Sequence, residues 1–308
     1  MHSGGGSGSW PRTLGQTIPP TAPWSSHIHS PSPWWNVFHP TSAMEPRTTL
    51  PLDILLYIID LLAGEDEDDG DIKSLQILSQ TCKSMVPLCR KHLFSSLCLS
   101  SKLDSERFSD LLSKNQYIAR YVRSLNYRVY HPITDHELII FDMLKERSSL
   151  QSIELSSPRL DWNNFPESIR SSLVSLIQLP TVTHLNIDSF KAFPATALSG
   201  CSNLIDLQLG ELKLVPPEVN QVVSRSKIPT PISLYIRTET YGLPTLLKSA
   251  SPHAAGPIVD FSRLQKVSFD VKSRSDIGHF TRNGLIKVTA RLEYFYIMSE
   301  SLVLSLIF

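Results

Sequence analysis

Eight short strings of alternating apolar residues recur over residues 96–308 of this 308-residue chain and constrain its fold more than any other feature. Strict alternation of apolar and polar residues indicates a β-strand with one buried face. From the second string onward, successive starts are 28, 32, 22, 28, 32 and 28 residues apart, and a self-similar spacing of this size indicates a repeat architecture. The strings are 96-SLCLS, 122-VRSLNYRV, 150-LQSIELSS, 182-VTHLNIDS, 204-LIDLQLGE, 232-ISLYIRT, 264-LQKVSFDV and 292-LEYFYIMS.

Helical patterns occupy several of the segments between the strings. Apolar residues follow helical spacing over 104–115, 134–147 and 166–179. Thr134 and Glu137 have the spacing of a capping box, which satisfies backbone N–H groups at the start of a helix. Strand–helix alternation at this period predicts an α/β fold, a curved solenoid with a parallel sheet. Weaker helical patterns lie at 216–226, 243–250 and 275–290.

In each predicted strand the residues between the apolar positions face away from the core. We expect them to share the concave face of the sheet and to form a target-binding surface of mixed charge, in which tyrosines are good anchors. An ordinary solvated sheet face is an equally good interpretation of any single residue. The set comprises Asn126, Arg128, Ser152, Glu154, His184, Asn186, Asp188, Asp206, Gln208, Tyr235, Arg237, Lys266, Asp270, Tyr294 and Tyr296.

Residues 1–47 differ in composition from the rest of the chain. Up to residue 44 they hold seven prolines, four of the five tryptophans and a single formal charge, that of Arg12. The opening GGGSGS is typical of flexible linkers, and the segment lacks the basic start and apolar run of a signal peptide. We predict a disordered leader, or an upstream extension of a chain that begins at Met44. A docking tail that offers Trp and Pro to a partner is the alternative.

Residues 48–95 have helical patterns throughout. Pro51 suits a first helical turn, and Asp53 complements the positive end of the helix. Six acids in the run 65-EDEDDGD-71 read as a solvated connection, because their spacing is not that of a calcium-binding loop. Asp71 is the predicted cap of a second helix, and a third is predicted from Lys83 to Phe94. The apolar positions of the three helices are Ile54, Leu55, Ile58, Leu61, Leu62, Ile72, Leu75, Leu78, Cys82, Met85, Leu88, Cys89 and Leu93, and Pro87 fits only in a first turn.

The strings 50-LPLDILLYIIDLL-62 and 75-LQILSQTCKSMVPLCRKHLF-94 resemble an F-box. The hallmarks are the opening Leu-Pro, the Ile/Leu ladder, the Leu–Leu–Ser–Cys–Lys stretch and the closing Leu-Phe. The chain is most similar to fungal F-box proteins that continue into degenerate leucine-rich repeats. Two departures are an acidic insertion between the first two helices and Phe94, which stands near where many members have Trp.

The resemblance implies that residues 48–95 bind the Skp-type adaptor of a cullin ubiquitin ligase and that the repeats bind an unidentified target protein. A physical argument agrees, because three short helices with apolar residues on several faces cannot bury all of that surface against each other. An N-terminal cap of the repeat domain is the alternative. The expected adaptor-binding residues are Leu50, Pro51, Ile54, Leu55, Ile58, Leu75, Leu78, Cys82, Met85 and Leu88.

Charge and cysteine content narrow the class of protein further. Lys and Arg number 29 and Asp and Glu also number 29, which gives no electrostatic reason to expect a nucleic-acid or membrane partner. Four cysteines are too few for a disulfide-stapled secreted scaffold, and no apolar run is long enough to span a bilayer. We expect a soluble protein of the cytoplasm or nucleus.

The chain also lacks the common catalytic and metal-binding motifs. We therefore expect no enzymatic activity, no cofactor and no metal site. Two other functions stay open: an interaction scaffold unconnected to ubiquitin transfer, and a hydrolase whose triad is assembled across the repeats. The apolar run 301-SLVLSLIF-308 lacks the polar cap that a solenoid normally needs, so we expect a truncated domain or an imperfect gene model, and poor solubility of this chain in isolation.

Overall fold

A computed structural model describes residues 51–63, 69–81, 83–130, 132–216, 228–237, 246, 257–270, 294–299 and 302–307. The leader, Leu50 and Cys82 lie outside the described residues. So do the three weak helical patterns, apart from Pro216 and Leu246. In the described part of the chain, no helix is both long and apolar enough to cross a membrane.

Three helices open the described chain: α1 (Leu52–Leu62), α2 (Asp69–Thr81) and α3 (Met85–Leu93). Pro51 is the N-cap of α1, and Pro87 lies in the first turn of α3, where a missing N–H costs no helical hydrogen bond. The prediction that Asp71 caps the second helix is wrong, because α2 begins two residues earlier. We call these three helices the helical trio.

Each of the eight alternating strings contains a strand, which confirms the strand predictions. The strands in chain order are β1 (Ser96–Leu99), β2 (Ser124–Arg128), β3 (Ser152–Ser156), β4 (His184–Asp188), β5 (Phe193–Pro194), β6 (Asp206–Leu209), β7 (Leu214–Val215), β8 (Ser233–Arg237), β9 (Lys266–Asp270), β10 (Tyr294–Ser299) and β11 (Leu302–Ile307). Nine of them form one sheet in the order β1-β2-β3-β4-β6-β8-β9-β10-β11, while β5 and β7 pair separately. All neighbours in the large sheet are parallel except β10 and β11, which are antiparallel.

The predicted helices between the strands are present as α4 (Lys102–Lys114), α5 (Asp135–Arg147) and α6 (Glu167–Ile177). The capping box at the start of α5 is confirmed, since the Glu137 carboxylate accepts a hydrogen bond from the backbone N–H of Thr134 at 3.0 Å. Short 3-10 helices at Gln116–Tyr121, Trp162–Asn164 and Ala195–Gly200 complete the connections and had no sequence signal that we recognised.

One face of the large sheet is covered and the other is open. On the covered face two rows of apolar side chains run across the strands in register, one from Leu97 to Val267 and the other from Leu99 to Phe269. They form one core with buried helix residues such as Phe141. Each fully buried Leu or Ile contributes about 1.5–3 kcal/mol. The fold is therefore mixed α/β, and its polar strand positions lie on what we call the open face.

Candidate protein-interaction surfaces

The helical trio has a small core of its own, separate from the core beneath the sheet. Four side chains form it: Ile59, Leu75, Met85 and Cys89. Leu75 and Met85 are 2% and 7% exposed, so these two expected adaptor-binding residues hold the helices together from inside and do not reach the surface.

An ion-pair network ties α1 to α3 beside this core. The Asp60 carboxylate lies 2.8 Å from Lys91 Nζ and 2.9 Å from His92 Nε2. The hydrogen bond from Lys91 holds the pKa of Asp60 below its usual value, and the contact with His92 lowers it further.

A second apolar stripe on α1 faces away from the trio's core. Ile54, Tyr57, Ile58 and Leu61 follow the i, i+3, i+4, i+7 spacing of one helix face, and all four are exposed, Tyr57 to 63% and Leu61 to 60%. We call this set the outer stripe. Of the eleven large apolar side chains that are strongly exposed in the described residues, seven lie on α1 or α2. Such a concentration of exposed apolar surface is typical of an interaction site.

The expected adaptor-binding residues fall into three groups in the structure. Exposed are Pro51, Ile54 and Ile58, half-buried are Leu55, Leu78 and Leu88, and buried are Leu75 and Met85. Sequence reasoning did not choose Tyr57 or Leu61 for docking. Both were detectable from helical spacing, but with two apolar stripes on one helix the spacing alone does not tell which stripe faces outward.

The polar strand positions lie in three rows across the open face. The backbone register aligns them from strand to strand. The row near the amino ends of the strands holds Ser124, Ser152, His184, Asp206, Ser233, Lys266 and Tyr294; the middle row holds Asn126, Glu154, Asn186, Gln208, Tyr235, Ser268 and Tyr296; and the row near the carboxyl ends holds Arg128, Ser156, Asp188, Arg237 and Asp270.

Polar contacts link neighbouring strands across this face. Asn126 on β2 donates to Glu154 on β3 at 3.0 Å. On the next strands, His184 Nε2 lies 2.8 Å from Asp206 Oδ2. These contacts fix side-chain positions before any partner arrives, which lowers the entropy cost of binding.

Asp188 makes a longer connection, from β4 past β6 to β8. Its Oδ2 accepts from Arg237 at 3.1 Å, and its Oδ1 accepts from the backbone N–H of Glu211 at 3.1 Å. Gly210 directly follows β6, and a Cβ added there would lie 1.7 Å from Asp188 Oδ1. The glycine therefore makes room for the carboxylate. A hydrogen bond with Tyr235 raises the pKa of Arg237, and the Asp188 charge adds to that effect.

A hydroxyl, an imidazole and a carboxylate contact one another in that order, at Thr183, His184 and Asp206. Thr183 Oγ1 lies 2.8 Å from His184 Nδ1, and the other ring nitrogen contacts Asp206. The Thr183 hydroxyl also lies 3.3 Å from the carbonyl of Gln151 on the preceding repeat. The His184 side chain is 53% exposed on the open face. Together these contacts link the start of β4 to the residue before β3 and to β6.

The helix side of the sheet carries a cleft of about 540 Å³ between α6 and the short connections that follow it. Arg170 and Glu167 both line the cleft and form an ion pair, so their two charges balance each other. Cys201, in the adjoining connection, is buried, and burial raises the pKa of its thiol to about 12, which keeps it protonated. In the described residues no group of three or more His, Cys, Asp or Glu side chains is placed to hold a metal ion.

Comparisons with family models, with curated protein sequences and with solved structures gave no match to this chain.

Proposed function

We propose that the protein is a non-catalytic substrate-recognition adaptor of a Skp–cullin–F-box ubiquitin ligase. The helical trio binds the Skp-type adaptor, and the repeats, a solenoid of the leucine-rich-repeat kind, bind a target protein. The observation that carries the proposal is the outer stripe, which lies within the string that resembles an F-box.

The two stripes of α1 support docking by helix packing. The inner stripe, which includes Ile59, is buried in the trio's own core. The outer stripe is exposed to water, because α1 packs against α2 and α3 through its other face. Each of its side chains is already partly covered, so a partner that covers the rest gains about 1 kcal/mol per residue. A helical partner that presents an apolar groove would use this surface.

The open face supports target binding. Its polar rows extend over consecutive strands, and the contacts around Glu154, Asp188 and Asp206 order their side chains in advance. A target held there would be presented to the ligase at high effective concentration, which requires no bond chemistry by this chain.

The test is co-purification of the full chain with a Skp-type adaptor. Ile54→Asp with Ile58→Asp places two charges in the outer stripe and should abolish binding. The matched control is Leu103→Asp with Ile139→Asp, at positions on α4 and α5 that are 50% and 49% exposed. The control variant should bind as the wild type does. Undiminished binding by the stripe variant, with circular dichroism unchanged, would refute the docking assignment.

A second candidate is an interaction scaffold in which the trio only caps the repeats. The observation in its favour is contact between α3 and the 3-10 helix Gln116–Tyr121, together with packing of Phe94 against the core of the sheet. In this case the outer stripe has no ligase partner, and the open face alone carries the function.

A further inference from the structure

The cleft on the helix side of the sheet lies where the row of α4, α5 and α6 meets a shorter connection. α4 packs against α5, and α5 packs against α6. The next two strings begin at residues 182 and 204, which are 22 residues apart, the shortest spacing between consecutive strings. The connection between them forms β5 and the 3-10 helix Ala195–Gly200 in place of another α-helix. One side of α6 is therefore left to line the cleft, opposite this 3-10 helix.

The side of α6 that lines the cleft carries hydrogen-bond donors beside one carboxylate. Glu167, Arg170, Ser171, Val174 and Ser175 follow the i, i+3, i+4, i+7, i+8 spacing of one helix face. The Glu167 carboxylate accepts hydrogen bonds from the Arg170 guanidinium and, at 3.1 Å, from the Ser171 hydroxyl. The ion pair uses one of the five N–H donors of Arg170, and the buried Nε–H has no partner among the described residues. This wall therefore has donor capacity that the described residues do not use.

The facing wall adds further polar groups to a preformed site. Thr196 and Asn163 line the cleft, and their side chains have no hydrogen-bond partner in the part of the chain that the structure describes. Trp162 also lines it while only 3% exposed, and its ring makes edge contacts with the rings of Phe165 and Phe193. The aliphatic lining residues include Val174, Pro194 and Val215. A few polar groups fixed around an apolar lining are typical of a small-molecule site.

We propose that this cleft binds a small organic anion, whose phosphate or carboxylate group is held by Arg170 and Ser171, with Thr196 on the facing wall. A guanidinium and hydroxyls donate hydrogen bonds, and an anionic oxygen group is the acceptor that such a set binds most strongly. The Glu167 carboxylate already binds Arg170 and Ser171 from within the chain. Its side chain is 74% exposed, and an exposed ion pair is weak, so the anion of a ligand can displace it.

The volume of the cleft fits a ligand larger than an inorganic ion. About 540 Å³ lies within the range of sites that hold small organic molecules. The uncharged part of the ligand packs against aliphatic groups such as Val174 and Val215. None of the described lining residues belongs to the helical trio or to the open face. Binding in the cleft is therefore independent of both proposed interaction surfaces and goes beyond the proposed adaptor function.

The first test is saturation-transfer NMR on the full chain with three aromatic compounds of similar size. Phenyl phosphate and benzoate carry the two candidate anionic groups, and benzamide is the uncharged counterpart of benzoate. We expect at least one anion to bind with a dissociation constant of about 1 mM, and benzamide to bind roughly tenfold more weakly than that anion. The tighter of the two anions identifies the group that the cleft prefers. Binding of neither anion, or equally tight binding of benzamide, overturns the proposal.

Two substitutions with opposite effects assign the bound anion to this cleft. Arg170→Gln removes the positive charge and should weaken binding about tenfold. Glu167→Gln removes the competing carboxylate and should tighten binding about threefold, which the loss of a purely structural ion pair would not do. The matched control is Glu106→Gln, which breaks a comparable exposed pair with Lys102 on α4 and should leave the affinity unchanged.

Thermal unfolding followed by circular dichroism verifies that each variant is folded. If Arg170→Gln does not fold, the affinity of the Glu167→Gln variant alone decides. An anion affinity that is unchanged or weaker in Glu167→Gln overturns the proposal, as does an unchanged affinity in a folded Arg170→Gln variant. An equal gain in the Glu106→Gln control also overturns it, because the anion would then respond to charge far from the cleft.

Discussion

Asp188 shows how a single side chain can connect strands that are not neighbours. Its carboxylate reaches Arg237 on β8 only because the intervening residue, Gly210, has no side chain. The sequence alone does not predict that Asp188 contacts Arg237 past Gly210. Alternation places Asp188 and Arg237 on one face, whereas their distance depends on the order and register of β4, β6 and β8.

We expect Gly210→Ala to lower the free energy of unfolding by about 1–3 kcal/mol, because the new methyl group occupies the place of the Asp188 carboxylate. Urea denaturation measures the loss. In an Asp188→Ala background the same change should cost less than half as much, since the clash is removed. Equal costs in the two backgrounds would show that Asp188 is not what the methyl group displaces.

At the scale of elements, the sequence predicted the eight strands, α4 to α6 and the capping box of α5. Alternation and helical spacing report local burial, and tertiary packing here agrees with them. The start of α2 was misplaced because several acids in the run before it can cap a helix equally well. β11 was read only as an apolar run, because the two residues between it and β10, Glu300 and Ser301, are not a turn pair of the Asn-Gly kind that marks a hairpin. The outward direction of the outer stripe also depends on packing, namely on which face α2 and α3 cover.

A polar cluster joins α4 and α5 through the half-buried Tyr130, two residues after the end of β2. The Tyr130 hydroxyl lies 2.7 Å from Ser105 Oγ and is hydrogen-bonded to the buried Glu137 carboxylate. Tyr127, in β2, is fully buried, and its hydroxyl has no hydrogen-bond partner among the residues that the structure describes. Burial raises the pKa of both tyrosines, and the nearby Glu137 raises them further.

This cluster predicts a loss of stability in alkali. With raised pKa values the folded state holds the two phenolic protons more tightly than the unfolded state does. The stabilisation is therefore complete below about pH 10 and is lost as the pH rises above it. The free energy of unfolding, measured between about pH 8 and pH 12, should fall above that point. The double variant Tyr127→Phe, Tyr130→Phe should show a shallower fall, and an unchanged pH profile would contradict this account.

For the whole molecule, the two cores separate two explanations of the helical trio. A trio with a core of its own can be removed without opening the core beneath the sheet. We expect a fragment that lacks residues 1–92, and so keeps Phe94, to remain soluble and to unfold cooperatively in urea. A control that lacks only residues 1–47 should behave as the full chain does. If the shorter fragment is unfolded while the control is folded, the trio is a cap and the scaffold explanation is preferred.

The order of the strands in the large sheet also bears on how such a protein can change over time. In that sheet each strand pairs only with the member before it and the member after it along the chain, so its outward side chains can be exchanged without repacking distant parts of the sheet. A lineage of such chains can therefore acquire a new specificity one strand at a time. The ion pair from Asp188 to Arg237 is an exception, because β4 and β8 must vary together to keep it.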